Sequence, residues 1–252
     1  MQYDLNPGLR VNTTRTGAIN RTDTLGLASQ LGLSPFTGSV FTLRNMGKEQ
    51  YDGLNLSFEK RFSHGWASRL SYTIARSYDD SAQSNYQVLD TTHADLAWGP
   101  SGREHILSLS GQVELPRTRG LNLSGTYRFM TGTPFTLINS NVDADRNGVL
   151  ADLLPAGTYS GVGPDAMTLE NEGGQGGAIG PAFAQLDMRL SYRLRLRGAK
   201  SIDVGMDVFN ATNEPNFSNP SGDQRLPTFL VPNTLLSGGI PRQVQVSVRF
   251  TF

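Results

Sequence analysis

The feature that most constrains this chain is a strict two-residue alternation, at its plainest where the chain ends. There Val244, Val246, Val248, Phe250 and Phe252 interleave with Gln243, Gln245, Ser247, Arg249 and Thr251. Successive side chains of an extended strand point to opposite faces, so one face of this segment is apolar throughout and the other hydrophilic throughout. Two architectures accept such a strand. In a soluble β-sandwich the apolar face looks into a protein core. In a transmembrane barrel it looks out at lipid while the polar face lines a wet interior.

The alternation recurs along the chain. Leu54, Leu56 and Phe58 oppose Asn55, Ser57 and Glu59, and the segment ends at Arg61-Phe62. Trp66, Leu70, Tyr72 and Ile74 oppose Arg69, Ser71 and Thr73. The same pattern covers residues 107–115, 121–129, 185–196 and 202–208, which with the final segment makes seven predicted strands. Most are about ten residues long, the length a tilted strand needs to cross a bilayer. A short eighth strand is expected at about 37–44, and part of 22–34 is compatible with a helix.

The connections alternate as well. Short ones lie at 63–65, 116–120 and 197–200, and long ones at roughly 77–102, 132–181 and 211–240. Long structureless loops are uncommon in compact soluble domains. An antiparallel barrel with tight turns at one rim and long loops at the other produces this rhythm directly. Composition agrees with that reading. Hydrophobic residues make up 37% of the chain, and no apolar run approaches the ~20 residues of a membrane helix. Lysine and arginine balance aspartate and glutamate at 22 each, so no net field favours nucleic acid, and with no cysteine there are neither disulfides nor thiolate sites. The N-terminal Met1-Gln-Tyr-Asp-Leu-Asn-Pro7 has neither a basic start nor an apolar stretch, so no secretion signal is expected in it. The expected fold is therefore all-β: an antiparallel transmembrane β-barrel segment of about seven to eight meander strands, with short periplasmic turns and long extracellular loops. Residues 1–50 are expected to form an extracellular-loop or partial-strand region, and 51–252 the barrel segment.

A series of motifs sharpens this. Tyr51-Asp-Gly-Leu-Asn-Leu-Ser-Phe-Glu-Lys-Arg-Phe-Ser-His-Gly65 is followed by Ser71-Tyr72-Thr73, Gly132-Thr-Pro-Phe135 and Leu186-Asp-Met-Arg-Leu190. Then come Asp207-Val-Phe-Asn-Ala-Thr-Asn-Glu-Pro-Asn-Phe217 and the terminal Pro241-Arg242 to Arg249-Phe-Thr-Phe252. In this order the motifs resemble the C-terminal part of the barrel of TonB-dependent outer-membrane receptors, closest to the Oar-like group with its carboxypeptidase-regulatory-like domain. The resemblance implies a Gram-negative outer-membrane location and contact with membrane lipid. It implies uptake of an unidentified small ligand (an iron chelate, glycan, peptide or cofactor), powered by the TonB system through a plug domain this sequence does not contain. It also implies that Phe250 and Phe252 are read by the barrel-assembly machinery. On that basis the chain is expected to be a portion of a longer receptor. The rival membrane reading is a small non-transporting barrel or surface adhesin with calcium-ordered loops.

Few residues suggest chemistry beyond this. Asp143-Ala-Asp145-Arg-Asn147-Gly148 has the first half of a calcium loop, with oxygen ligands at alternate positions and then a glycine. The twelfth position of such a loop is Leu154 rather than a carboxylate, with Asp152 nearby but offset. Asp143, Asp145, Asn147 and Asp152 are the candidate ligands, and no other cofactor is expected. His64, His93 and His105 lack metal-ligand spacing, and His93 with Asp90 or Asp95 fits solvated loop residues better than a catalytic pair. No enzyme is expected. Gly173-Gly-Gln-Gly-Gly-Ala-Ile-Gly180 lacks the lysine and hydroxyl of a phosphate loop and reads as a flexible outer loop.

Overall fold

In the computed structural model, which describes residues 2–4, 6, 8–20, 26–35, 37–43, 47–80, 97–118, 120–150, 152–196 and 200–252, the alternating segments form one antiparallel meander. Its strands are β1 (Glu49–Ser63), β2 (Trp66–Asp79), β3 (His105–Glu114), β4 (Leu121–Met130), β5 (Phe183–Arg195), β6 (Ser201–Phe209) and β7 (Gln243–Thr251). Each pairs with the next, so sheet order equals chain order, and a two-residue piece at Gly99–Pro100 adds to β2. All seven predicted strands are present, several extended by two to five residues at the long-loop end. Among the described residues no helix is long and apolar enough to cross a membrane.

Register carries the alternation across the whole sheet. Residues directly opposite one another on antiparallel strands share a face. Trp66, Val113, Leu123, Leu190, Met206 and Val246 therefore make a continuous apolar row. Leu56, Tyr72, Leu107, Phe129 and Ala184 make another. On the opposite face Gln112, Ser124, Arg189, Asp207 and Gln245 line up. The rows climb: the one that starts beside the β1–β2 turn at Trp66 reaches β7 at Val246, well short of the strand's end at Thr251. Such a stagger is the shear that curls a sheet toward a barrel.

The apolar face is uncovered. Val244, Val246 and Val248 are 62%, 68% and 70% exposed, and Leu54, Leu56 and Phe58 are 50–55% exposed. With strands about 4.8 Å apart, this surface is roughly 30 Å wide. With ten-residue strands also about 30 Å long, its area approaches ~900 Å², more than the ~300–600 Å² of the largest contiguous apolar patch on a typical soluble monomer. A sandwich would bury it under a second sheet, and none covers it among the described residues.

Lys60 is the informative exception on this face, in register with Ser68. It lies at the short-turn rim, where its ammonium donates to the Ser63 and Trp66 carbonyls at 2.9 and 3.0 Å and sits 3.9 Å from the Trp66 ring centroid. A lysine that bends to the rim beside a tryptophan suits a membrane interface. The turn it caps has positive φ at both His64 (53°) and Gly65 (82°). That is the geometry of a type I′ hairpin, whose twist matches the flanking strands.

One expectation changes. The strand at about 37–44 exists as Phe41–Leu43, but it pairs with Gln2–Asp4 and not with the meander. Three residues extend only ~10 Å, too short to cross a hydrocarbon layer ~30 Å thick, so their backbone groups find an equally short partner. Within 22–34, where a short helix is compatible with the sequence, a single turn forms at Leu27–Gln30. The segment 81–96, with Asp90, His93 and Asp95, and the turn at 197–199 lie outside the described residues.

A charge in the middle of the apolar face should be far more costly than one on the polar face. Leu190→Arg is expected to lower stability in lipid vesicles by about 2–4 kcal/mol, whereas the neighbouring Ser191→Arg changes it by less than about 1 kcal/mol. Guanidinium titration of the vesicle-inserted protein measures both.

Candidate functional site

The polar face is a cross-strand charge lattice. Arg189 donates to Asp207 at 2.6 Å and Arg193 to Asp203 at 2.5 Å, each pair directly opposite across β5 and β6. Arg249 on β7 lies opposite Asp203 and completes that row. Arg128 approaches Asp187 diagonally at 3.8 Å, and Arg69 approaches Glu59 at the same distance. Solvated pairs of this kind contribute little stability individually. Their effect is to make the face wettable and to hold arginines in a defined array. A concavity of about 470 Å³ opens onto them, lined in part by Glu59, Arg69, Asp187, Arg189 and Asp207.

The long connections fold at the opposite rim from the short turns. Residues 131–182 contain a small sheet in the order Pro134–Phe135, Ala178–Ile179, Thr168–Asn171, Gly157–Ser160, and a separate pair Ile138–Asn139 with Asp152–Leu153. Leu137, Leu154, Ala178, Phe229 and Leu230 form a buried cluster between this loop and the one at 210–242, with Phe135, Tyr159 and Leu169 against it. The loops thus have a hydrophobic core of their own. The stretch 173–180, expected to be a flexible loop, is part of that structure. The Gly176 N–H donates to Thr136 Oγ1 at 3.0 Å, and Ala178 is fully buried. Its glycines serve close packing: a Cβ on Gly176 would sit 2.3 Å from the Pro100 carbonyl oxygen.

Asparagines tie the 210–242 loop to the strands. Asn210, 1% exposed and at φ 46°, donates from its side chain to the Glu214 and Ile240 carbonyls at 2.9 and 2.7 Å. Its backbone N–H donates to Asp187 Oδ1 at 2.9 Å. Asn216 pairs with the Ala184 backbone like a strand residue, accepting at 2.7 Å and donating at 3.1 Å. Asn219 donates to the Thr133 carbonyl at 3.2 Å and accepts from Thr133 Oγ1 at 3.0 Å. The sequence signal for these anchors was an asparagine every third residue at 210, 213, 216 and 219. Asn tolerates left-handed backbone and substitutes for backbone hydrogen bonds in turns.

Between the loops and β2 lies a polar cleft of about 420 Å³, lined by Asp79, Ser101, Phe135, Thr136, Gln175 and Gly222 among others. Gln175 Oε1 is buried there without a hydrogen-bond partner. Neither the cleft nor the charge lattice is a motif in the sequence, because each assembles residues from several strands or loops.

The candidate calcium ligands are partly brought together. One carboxylate oxygen from each of Asp143, Asp145 and Asp152 lies within 4.8 Å of the others. Asn147 is tied to this cluster by hydrogen bonds: its amide donates to Asp145 Oδ2 at 2.9 Å, and its Oδ1 accepts from the Val149 N–H at 2.7 Å. Phe250 and Phe252 stack at 5.8 Å, with Phe252 90% exposed. His64 occupies the β1–β2 turn, and His105 begins β3, its Nδ1 2.9 Å from the Tyr72 hydroxyl.

Asp223 joins the two folded loops. It accepts from Ser140 Oγ at 2.6 Å and from the Ser140 and Arg225 backbone N–H groups at 3.2 and 3.0 Å. Desolvation opposes ionisation of this carboxyl, but those hydrogen bonds and the Arg225 charge outweigh it and hold its pKa below the ordinary carboxylate value. A carboxyl depressed on folding contributes stability that is complete above its unfolded pKa, about 3.9, and lost as pH falls through the lower folded value. Hydrogen-exchange mass spectrometry of peptides covering 138–141 and 222–226 should show this tie loosening as pH falls below about 4, after correction for intrinsic rates. In Asp223→Asn both peptides should exchange fast at every pH.

Residues 2–245 match the family model of an outer membrane beta barrel domain. No curated protein and no solved structure matches the chain. The family match spans nearly the whole chain and agrees with an exposed apolar face, a charged polar face and alternating rims. The chain belongs to the outer membrane beta barrel domain family, and its place is the Gram-negative outer membrane.

Proposed function

We propose that this barrel segment is the C-terminal part of a TonB-dependent receptor of the Oar-like type, which takes up a small ligand captured by its folded outer loops. The observation that carries the reading is the loop assembly. Loops that share a buried core and are pinned to the strands by asparagines are built to present a fixed surface, and fixed loops on a rigid scaffold are where binding concentrates. The cleft at Asp79, Thr136 and Gln175, with its unsatisfied carbonyl oxygen, is the docking place for a polar ligand group that donates a hydrogen bond. Below it the polar face offers a charged, hydrated path lined by Arg128, Arg189 and Arg193. The motifs of the receptor family supply structural parts of this arrangement: Gly132 to Phe135 enters the loop sheet, and Asn210 to Phe217 anchors the last loop. No reaction is assigned to the protein. The second reading, a non-transporting adhesin, is favoured by one observation, the acidic cluster in the outer loop.

Uptake separates the two. Cells lacking the gene should lose accumulation of one class among iron chelates, glycans, peptides and cofactors, and a protonophore should abolish that accumulation in the parent strain. Surface binding that survives the protonophore, without accumulation of any class, would sink the transport reading. A second expectation concerns assembly. We assign Phe250 and Phe252 as the signal read by the barrel-assembly machinery. Deleting Phe252 should reduce the heat-modifiable, membrane-inserted fraction several-fold, and unchanged insertion would remove the assignment.

A further inference from the structure

We propose that Asp143, Asp145 and Asp152 bind a calcium ion that locks the N-terminal segment and the 131–182 loop together. The proposal is independent of whether the barrel transports or adheres. Three carboxylates converge within 4.8 Å, an arrangement that costs repulsion unless a cation sits among them. A second observation points to that cation. Asp143 is fully buried, and while its Oδ2 accepts from Arg10 Nε at 2.7 Å and from the Gly148 N–H at 3.0 Å, its Oδ1 has no hydrogen-bond partner. A buried carboxylate oxygen without a donor is costly, and a metal ion satisfies it.

The donor set fits a divalent ion. Arg10, 4% exposed, neutralises one of the three carboxylates. Arg146 Nε donates to the Arg10 carbonyl at 3.1 Å. The ligand atoms are all oxygens, and the exposed Asp145 leaves the outer side of the site open to water. Calcium completes a shell of six to eight oxygens flexibly, whereas magnesium demands near-ideal octahedral geometry, so calcium is the better match.

The position explains what binding would do. Arg10 is itself a staple: its guanidinium donates to the carbonyls of Arg15, Gly17 and Gly148, and its backbone N–H to the Arg146 carbonyl. Residues 8–20 are held against 139–149 through these bonds, with the Asp143 N–H donating to the Thr13 carbonyl. Asp152 begins the short strand that pairs with Ile138–Asn139. An ion bridging Asp143 to Asp152 closes the loop between them and fixes the face that Arg10 grips.

The test uses the whole 252-residue chain folded in detergent micelles, stripped with chelator and titrated with calcium chloride by calorimetry. One saturable site is expected, with a Kd on the order of 10⁻⁴–10⁻³ M as in extracellular calcium modules. Magnesium should bind at least tenfold more weakly. Asp145→Asn and Asp152→Asn should each weaken calcium at least tenfold while keeping heat-modifiable migration, and Asp165→Asn, in the same long loop but outside the cluster, should bind as the parent does. In the unaltered protein, calcium should slow tryptic cleavage after Arg146 several-fold, a readout that needs no variant to fold. Absence of saturable binding, equal affinity in the Asp145→Asn/Asp152→Asn double variant, or cleavage after Arg146 indifferent to calcium would each overturn the proposal.

Discussion

Everything in this molecule depends on backbone hydrogen bonds being satisfied between neighbouring strands. Inside a bilayer no water is available to an unpaired N–H or C=O, and each orphan costs several kcal/mol, so only helices and sheets closed into barrels cross. Because antiparallel pairing places opposite residues on the same face, one ladder from β1 to β7 sorts every side chain at once. A single-residue slip anywhere would turn valines and leucines toward the wet face and arginines toward lipid. Observed register avoids this from Leu56 on β1 to Val246 on β7.

Exceptions to the sorting fall at the rims, where water returns. Lys60 leaves the apolar face by bending toward the turn carbonyls. Ile106, Met130 and Phe183 lie in register on the otherwise polar face near the long loops, and Phe183 is 2% exposed, with the Arg128 guanidinium 5.6 Å from its ring centroid. The strand lattice therefore changes character with height: dry outside and charged inside at mid-strand, mixed at both ends. At the upper end the loops continue the change by building an interior of their own around Leu137 and Leu230. A rigid base and separately packed loops allow the loops to vary in shape without disturbing the barrel.

The two halves of the candidate site differ in how they are held. The polar face is positioned by strand geometry, so Arg189 and Arg193 inherit their spacing from the pleat and meet Asp207 and Asp203 on the next strand. The loop features depend instead on side chains acting in place of backbone: Asn210, Asn216 and Asn219 to carbonyls and amides, Asp223 to Ser140, and Arg10 to Asp143. These ties are long-range in the chain. They bring residues 10, 140, 175 and 223 into one assembly although no local pattern links them.

That difference explains what could be read from the chain alone. Strand identity, facing and the alternation of rims were legible, because a period of two and the lengths between periods are local properties; β1 to β7 match the predicted segments, and only their upper ends run longer. The three carboxylates at 143, 145 and 152 were legible as a group for the same reason. The sequence by itself could not reveal that Phe41–Leu43 pairs with residues 2–4 or that the glycine-rich 173–180 packs as part of a small sheet. Nor could it show that Asp143 is buried against Arg10. Those outcomes rest on close approach between distant segments, on whether a Cβ fits beside a carbonyl and which donor reaches an oxygen first, and only the tertiary structure decides them.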